Sequence, residues 1–232
     1  MGTPTTSRLV CALVALFVAV APSSLGAQSG TEHPTATNRV MAELRRIQTN
    51  VRSSVYSHTT RIDERIGRYE FDCSAMAAFV LRRAAPQALA SIHSSRPLAV
   101  EFYRTIAAAS AARARNGWLH IPRIEDARAG DVLAWPRPRW FPSHNTGHVV
   151  FVVETPVVTP RGVLVRIADS TRVGHENDTR DYNSRQSGFG YGTLLITTDP
   201  ATGAGTGYGW AGRYTPDEWI VPTPVVIGRP TR

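Results

Sequence analysis

The chain changes character at Gly130, and no other feature constrains its fold as strongly. Before that point apolar residues recur at three- and four-residue spacing; after it, short apolar runs are separated by turn-forming residues. Over residues 38–56, Val40, Met41, Leu44, Ile47 and Val51 mark an amphipathic helix with Glu43, Arg45 and Arg46 on its polar face. A second helix is predicted to start at Cys73 and run to Ala84, with Asp72 as its N-cap and Pro86 as its stop. The alanine-rich stretch 98–115 reads as a third. Strands are then predicted over 131–135, 148–154, 162–169, 193–198 and 225–228. Helices followed by strands is the order of an α+β domain with an antiparallel sheet. Residues 187–210 read as a glycine-rich hairpin turning at 199–203. Trp210 is assigned to the core; the alternative makes Tyr191, Tyr208 and Trp210 a cleft wall.

The N-terminus predicts export. Polar residues ending in Arg8 lead into the apolar run 9–21, followed by Pro22, Ser23, Ser24, Leu25, Gly26 and Ala27. A run of about 13 residues suits a secretory signal peptide and falls short of the roughly 20 that cross a bilayer. Cleavage is expected near Gly26 or Ala27. The expected organisation is a signal peptide over 1–27, a flexible lead-in with the first helix over 28–60, and a catalytic domain over 61–232. The mature protein is expected to be periplasmic or extracellular, without a stable membrane anchor.

The 232-residue chain has a net charge of +8, and loss of Arg8 with the signal leaves +7. All 26 basic residues are arginine, which reads as a nucleotide bias of the genome; the alternative is attraction to a polyanionic cell wall. No basic and aromatic recognition motif points to nucleic acid.

Of two cysteines, Cys11 leaves with the signal, so Cys73 stands alone in an exported protein and no internal disulfide can form. Cys73 falls in the first turn of a helix, where unpaired N–H groups and the helix dipole favour a thiolate. Its partner should be a histidine. Asn145, Thr146 and Gly147 lead into a strand that opens with His148, a fixed placement that suits a base; His144 is the fallback. The third member should accept a hydrogen bond from that histidine. Asp169 ends the following strand, and a turn near Val158 would set it directly opposite His148. Asp169 could instead cap the turn with Ser170 and Thr171, or His175 could be the orienting residue. The cluster His175, Glu176, Asn177, Asp178 lacks metal-ligand spacing, and no cofactor is implied.

Three segments carry a resemblance: Phe71-Asp72-Cys73-Ser74-Ala75-Met76, Ala129-Gly130-Asp131-Val132-Leu133-Ala134 and Gly147-His148-Val149-Val150-Phe151-Val152. In this order they resemble the signature stretches of NlpC-type peptidases. The resemblance implies a papain-like α+β fold, with the cysteine helix packed on an antiparallel sheet that bears the histidine. It also implies hydrolysis of amide bonds in peptidoglycan stem peptides, with Cys73 as nucleophile, His148 as base, Asp169 as the polar third residue and Asp131 as a turn residue. Tyr69, Asp72, Ser74 and His175 are candidate site-lining residues. The chain departs from the family pattern at Ala75, where glycine is usual, and at Asp169, where histidine is common. Related folds run acyl transfer or transglutamination, and a non-catalytic wall-binding domain would keep the fold without turnover.

Overall fold

The computed structural model describes residues 1–2, 35–181 and 186–231. The expected signal peptide and lead-in fall largely outside them. Among the described residues no helix is long and apolar enough to cross a membrane.

The first ordered element is α1 (Ala36–Asn50), capped by Thr35 and burying Val40, Leu44 and Ile47. It stops short of the predicted end at Tyr56. Val51 is already extended, and Ser53–Tyr56 forms strand β1, which pairs in parallel with β3 (Arg68–Phe71). The short β2 (Arg61–Asp63) completes this three-stranded sheet. Next comes α2, running from Cys73 to Ala84 as predicted, with Asp72 accepting the Ala75 N–H at 2.8 Å. Pro86 does not merely stop it: it opens a short helix, α3 (Pro86–Ala90), because a missing N–H costs nothing in a first turn. The third predicted helix is α4 (Ala99–Ala107), shorter than the alanine content suggested.

The second half is β-rich. Its strands are β4 (Trp118–Ile121), β5 (Val132–Pro136), β6 (Gly147–Val152), β7 (Val157–Thr159), β8 (Gly162–Thr171), β9 (Gly188–Thr198), β10 (Gly205–Gly209) and β11 (Val221–Pro230). They pair in the order β10-β9-β8-β6-β5-β11-β4, and β10 also pairs with β11. That last pairing overturns the expected papain-like fold of a helix on an open sheet. Strands β5, β6, β8, β9, β10 and β11 close into a six-stranded antiparallel barrel. Closure needs a strand that bends, and the register of β10 shifts between Gly205 and Gly207 against both of its neighbours.

Closure also explains why the strands are apolar on both faces. Leu133, Trp135, Val150, Val152 and Ile167 pack with Val165, Leu194 and Ile227 in one core. Val132, Ala134, Val149, Phe151 and Ala168 alternate with them and pack in a second core with Leu44, Met76, Leu81 and Phe102 of the helices. The first is the barrel interior; the second lies between the wall and α1, α2 and α4.

Candidate functional site

At the mouth of the barrel, interior-facing positions stop being apolar. His148 continues the parity of Val150 and Val152, and Asp169 continues that of Ile167. The pairs Phe151–Ala168 and Val152–Ile167 place Thr171, not Asp169, opposite His148. The expected register is thus off by two residues and the expected turn near Val158 is displaced, with β7 and β8 joined just beyond Thr159. A slip of two keeps every side chain on its face, so Asp169 still reaches His148 along the diagonal. Their separation is 2.8 Å from Nε2 to Oδ2.

Gly147 sets the strand's entrance. It adopts a φ of +148°, and a Cβ there would lie 2.1 Å from the Trp135 carbonyl oxygen, so a side chain would displace His148.

Cys73, at the N-terminus of α2, is a free, nearly buried thiol that hydrogen-bonds His148. With Nε2 taken by Asp169, Nδ1 is the ring nitrogen left for the thiol. Burial alone would lower the His148 pKa. The charge of Cys73, the hydrogen bonds to Asp169 and Cys73 and the charge of Asp169 outweigh it and push it up to about 10. The site therefore favours an imidazolium at His148 at neutral pH.

Asp169 is fully buried. Its Oδ2 also meets Nε2 of His175 at 3.1 Å, and its Oδ1 lies 3.0 Å from Nη1 of Arg180. Burial would raise this carboxyl; His175, His148 and Arg180 together hold it far below the usual carboxylate range. The alternatives for the third residue thus resolve into a chain, with Asp169 on His148 and His175 behind Asp169. His175 stacks on Trp210 with ring centroids 5.4 Å apart, and its Nδ1 faces the Trp210 carbonyl at 3.3 Å. Arg180, 3% exposed, also binds Asp178 and the Gly188 carbonyl. The glycines of β9 make room for these side chains: a Cβ on Gly190 would meet Arg180 at 2.7 Å, and one on Gly192 would meet His175 at 2.4 Å.

Sequence reasoning missed Arg180, Tyr56, Asn145 and the position of Trp210. Trp210 is partly buried and lies edge-on to His148 at 5.1 Å, so the alternative reading of a cleft wall describes it better than the core. Tyr56 was hidden inside an overlong predicted helix. Its phenol bonds the Asn145 side chain, and burial together with the neighbouring charge of Cys73 holds it well above the usual tyrosine range, so it stays protonated.

Of the candidate lining residues, Asp72 and Ser74 face the cleft, joined by a 2.9 Å hydrogen bond. Tyr69 does not: it is fully buried in the core, its hydroxyl accepting from Asn50 at 3.1 Å. His144 lines the cleft, but His148 holds the thiol. Asp131 serves the fold, pairing with Arg229 at 2.8 Å and accepting the Arg128 N–H. Among the described residues no group of three or more His, Cys, Asp or Glu could hold a metal ion.

Fold and site together define a closed antiparallel barrel with a cysteine–histidine–aspartate chain at its mouth. No family model matches the sequence, and no solved structure matches it. It is similar to an uncharacterised protein of Acanthamoeba polyphaga mimivirus, 28% identical over 183 residues, covering 68% of this chain and 76% of that protein.

Proposed function

We propose that the protein is an exported cysteine hydrolase, cleaving amide bonds in peptidoglycan stem peptides in the periplasm or outside the cell. The observation that carries this reading is the continuous chain Cys73–His148–Asp169 at the edge of an open cleft. The Cys73 sulfur attacks the amide carbonyl, and His148 delivers a proton to the departing amine, leaving a thioester. Water, activated by the same histidine, then hydrolyses the thioester and frees the thiol. Asp169 holds the imidazole in its orientation and steadies its charge. Tyr56, neutral and beside Cys73, is placed to donate a hydrogen bond to the carbonyl oxygen as it gains charge.

The test is mass analysis of purified muropeptides incubated with the mature protein. Amide cleavage that disappears in Cys73→Ala is expected. Cleavage that survives in that variant removes the cysteine mechanism, and intact muropeptides remove the substrate.

A further inference from the structure

Two cavities meet at the site, and they are chemically unlike. The larger, about 690 Å³, is lined by Cys73, Ser74 and Asp72 and by Phe79, Arg82 and Arg96. The smaller, about 310 Å³, is lined by His148 but not by Cys73. Tyr56, Asn145 and Gly147 border both. The reaction assigns the two spaces. The acyl half of a substrate must stay with the sulfur it is bonded to, while the departing nitrogen must lie within reach of the histidine that protonates it. The larger cavity therefore holds the acyl half and the smaller one the amine half.

The smaller cavity is walled by Trp135, Phe141, Tyr208 and Trp210 and also lined by two arginines, Arg137 and Arg172, with no aspartate or glutamate among its lining residues. That lack of carboxylates sets it apart. The buried Asp169 already has Arg180, and Arg46, Arg83, Arg123, Arg161, Arg213 and Arg229 each pair with an acidic side chain. Arg137 instead spends Nη1 on the Phe141 carbonyl at 2.8 Å, and its buried Nε has no hydrogen-bond partner among the described residues. A buried guanidinium N–H without an acceptor costs free energy, and the guanidinium's charge has no carboxylate beside it in this cavity. The exposed Arg172 lies 5.4 Å over the ring of Tyr56, which holds its charge at the rim. A planar guanidinium matches a carboxylate in geometry as well as charge.

We propose that this cavity is a specificity pocket for a leaving group that carries a free carboxylate, with Arg137 and Arg172 as its anion-binding residues and the aromatic walls covering its side chain. The proposal rests on the hydrolase reading for its assignment of sides. The preferred substrate ends, on the amine side, in an amino acid with an unblocked carboxylate.

Binding separates this proposal from the hydrolase reading. The full chain carrying Cys73→Ala is titrated calorimetrically with N-acetylphenylalanine and with N-acetylphenylalaninamide. The acid should bind about tenfold tighter than the amide. Arg172→Gln, at an exposed position, should reduce that ratio, and adding Arg137→Gln should bring it near one. Equal affinity for acid and amide, or binding of neither, overturns the proposal. In parallel, the wild-type chain is offered peptides ending in phenylalanine acid or amide. Acid-selective binding without turnover of either peptide supports the pocket, and the hydrolase reading then falls only if muropeptides also stay intact. Turnover at equal kcat/KM for both peptides defeats the pocket and supports the hydrolase.

Discussion

Cys73 reaches the cleft on one short stretch of chain, whereas the His148 side of the site is assembled from side chains of four separated places. On the cysteine side, Asp72 caps α2 through Ala75 and ties Ser74, all within a single helical turn. On the histidine side, β6 supplies His148, β8 supplies Asp169, the segment that follows supplies His175 and Arg180, and the residue after β10 supplies Trp210. The cysteine side is a local device stabilised by hydrogen bonds near the surface. The histidine side is a buried charge network, in which removing one member leaves another uncompensated. Substitutions should therefore be mild and separable on the first side and severe and coupled on the second.

Asp169→Asn should have the largest effect. It removes the negative charge facing His148 and leaves Arg180 buried beside a neutral amide. Turnover should fall by roughly 10³-fold or more, and unfolding should cost about 3 kcal/mol less. Kinetics with denaturant unfolding measure both, and a variant as stable as wild type would break the contrast between the two sides. His175→Ala should come next, with turnover reduced roughly tenfold, because Asp169 keeps both His148 and Arg180. A greater loss than in Asp169→Asn would make His175 the principal orienting residue.

The pH dependence sharpens the comparison. His148 has an ordinary value of 6.5 and a folded value raised to about 10, so its stabilising contribution is fully present below 6.5 and is lost as pH rises through about 10. Asp169 is shifted down from 3.8, so its contribution is present above 3.8 and is lost as pH falls further. Calorimetric Tm values should decline on the alkaline side, and His148→Gln should flatten that decline. An unchanged slope would detach the histidine from the network. The smallest effect belongs to the cysteine side: Asp72→Ala removes one cap and should lower stability by about 1 kcal/mol. A loss as large as that of Asp169→Asn would erase the distinction.

The same contrast explains what could be read in advance. Helix α2 and its cap were legible, because capping and apolar spacing act within a few residues. The strands β5, β6 and β8 were legible as apolar runs, and so was the face shared by His148 and Asp169, because alternation survives a register error of two. Tyr56 was assigned to a helix because local spacing does not register the pairing of β1 with β3, which is made with residues farther along the chain. Trp210 looked like core because an aromatic after a glycine-rich strand reads the same whether it points inward or lines the mouth.

By itself, then, the sequence determined the cysteine at a helix N-terminus, the histidine at a strand start and the acidic residue on a matching face, all set by interactions between near neighbours. Only the tertiary structure decided that the sheet closes, that Arg180 and His175 stand behind Asp169 and that the cleft divides into two unlike cavities. The physical reason is that closure depends on one pairing, β10 with β11, and burial of charge depends on which segments meet. Strands apolar on both faces satisfy an open, covered sheet and a barrel equally well until their edges find each other.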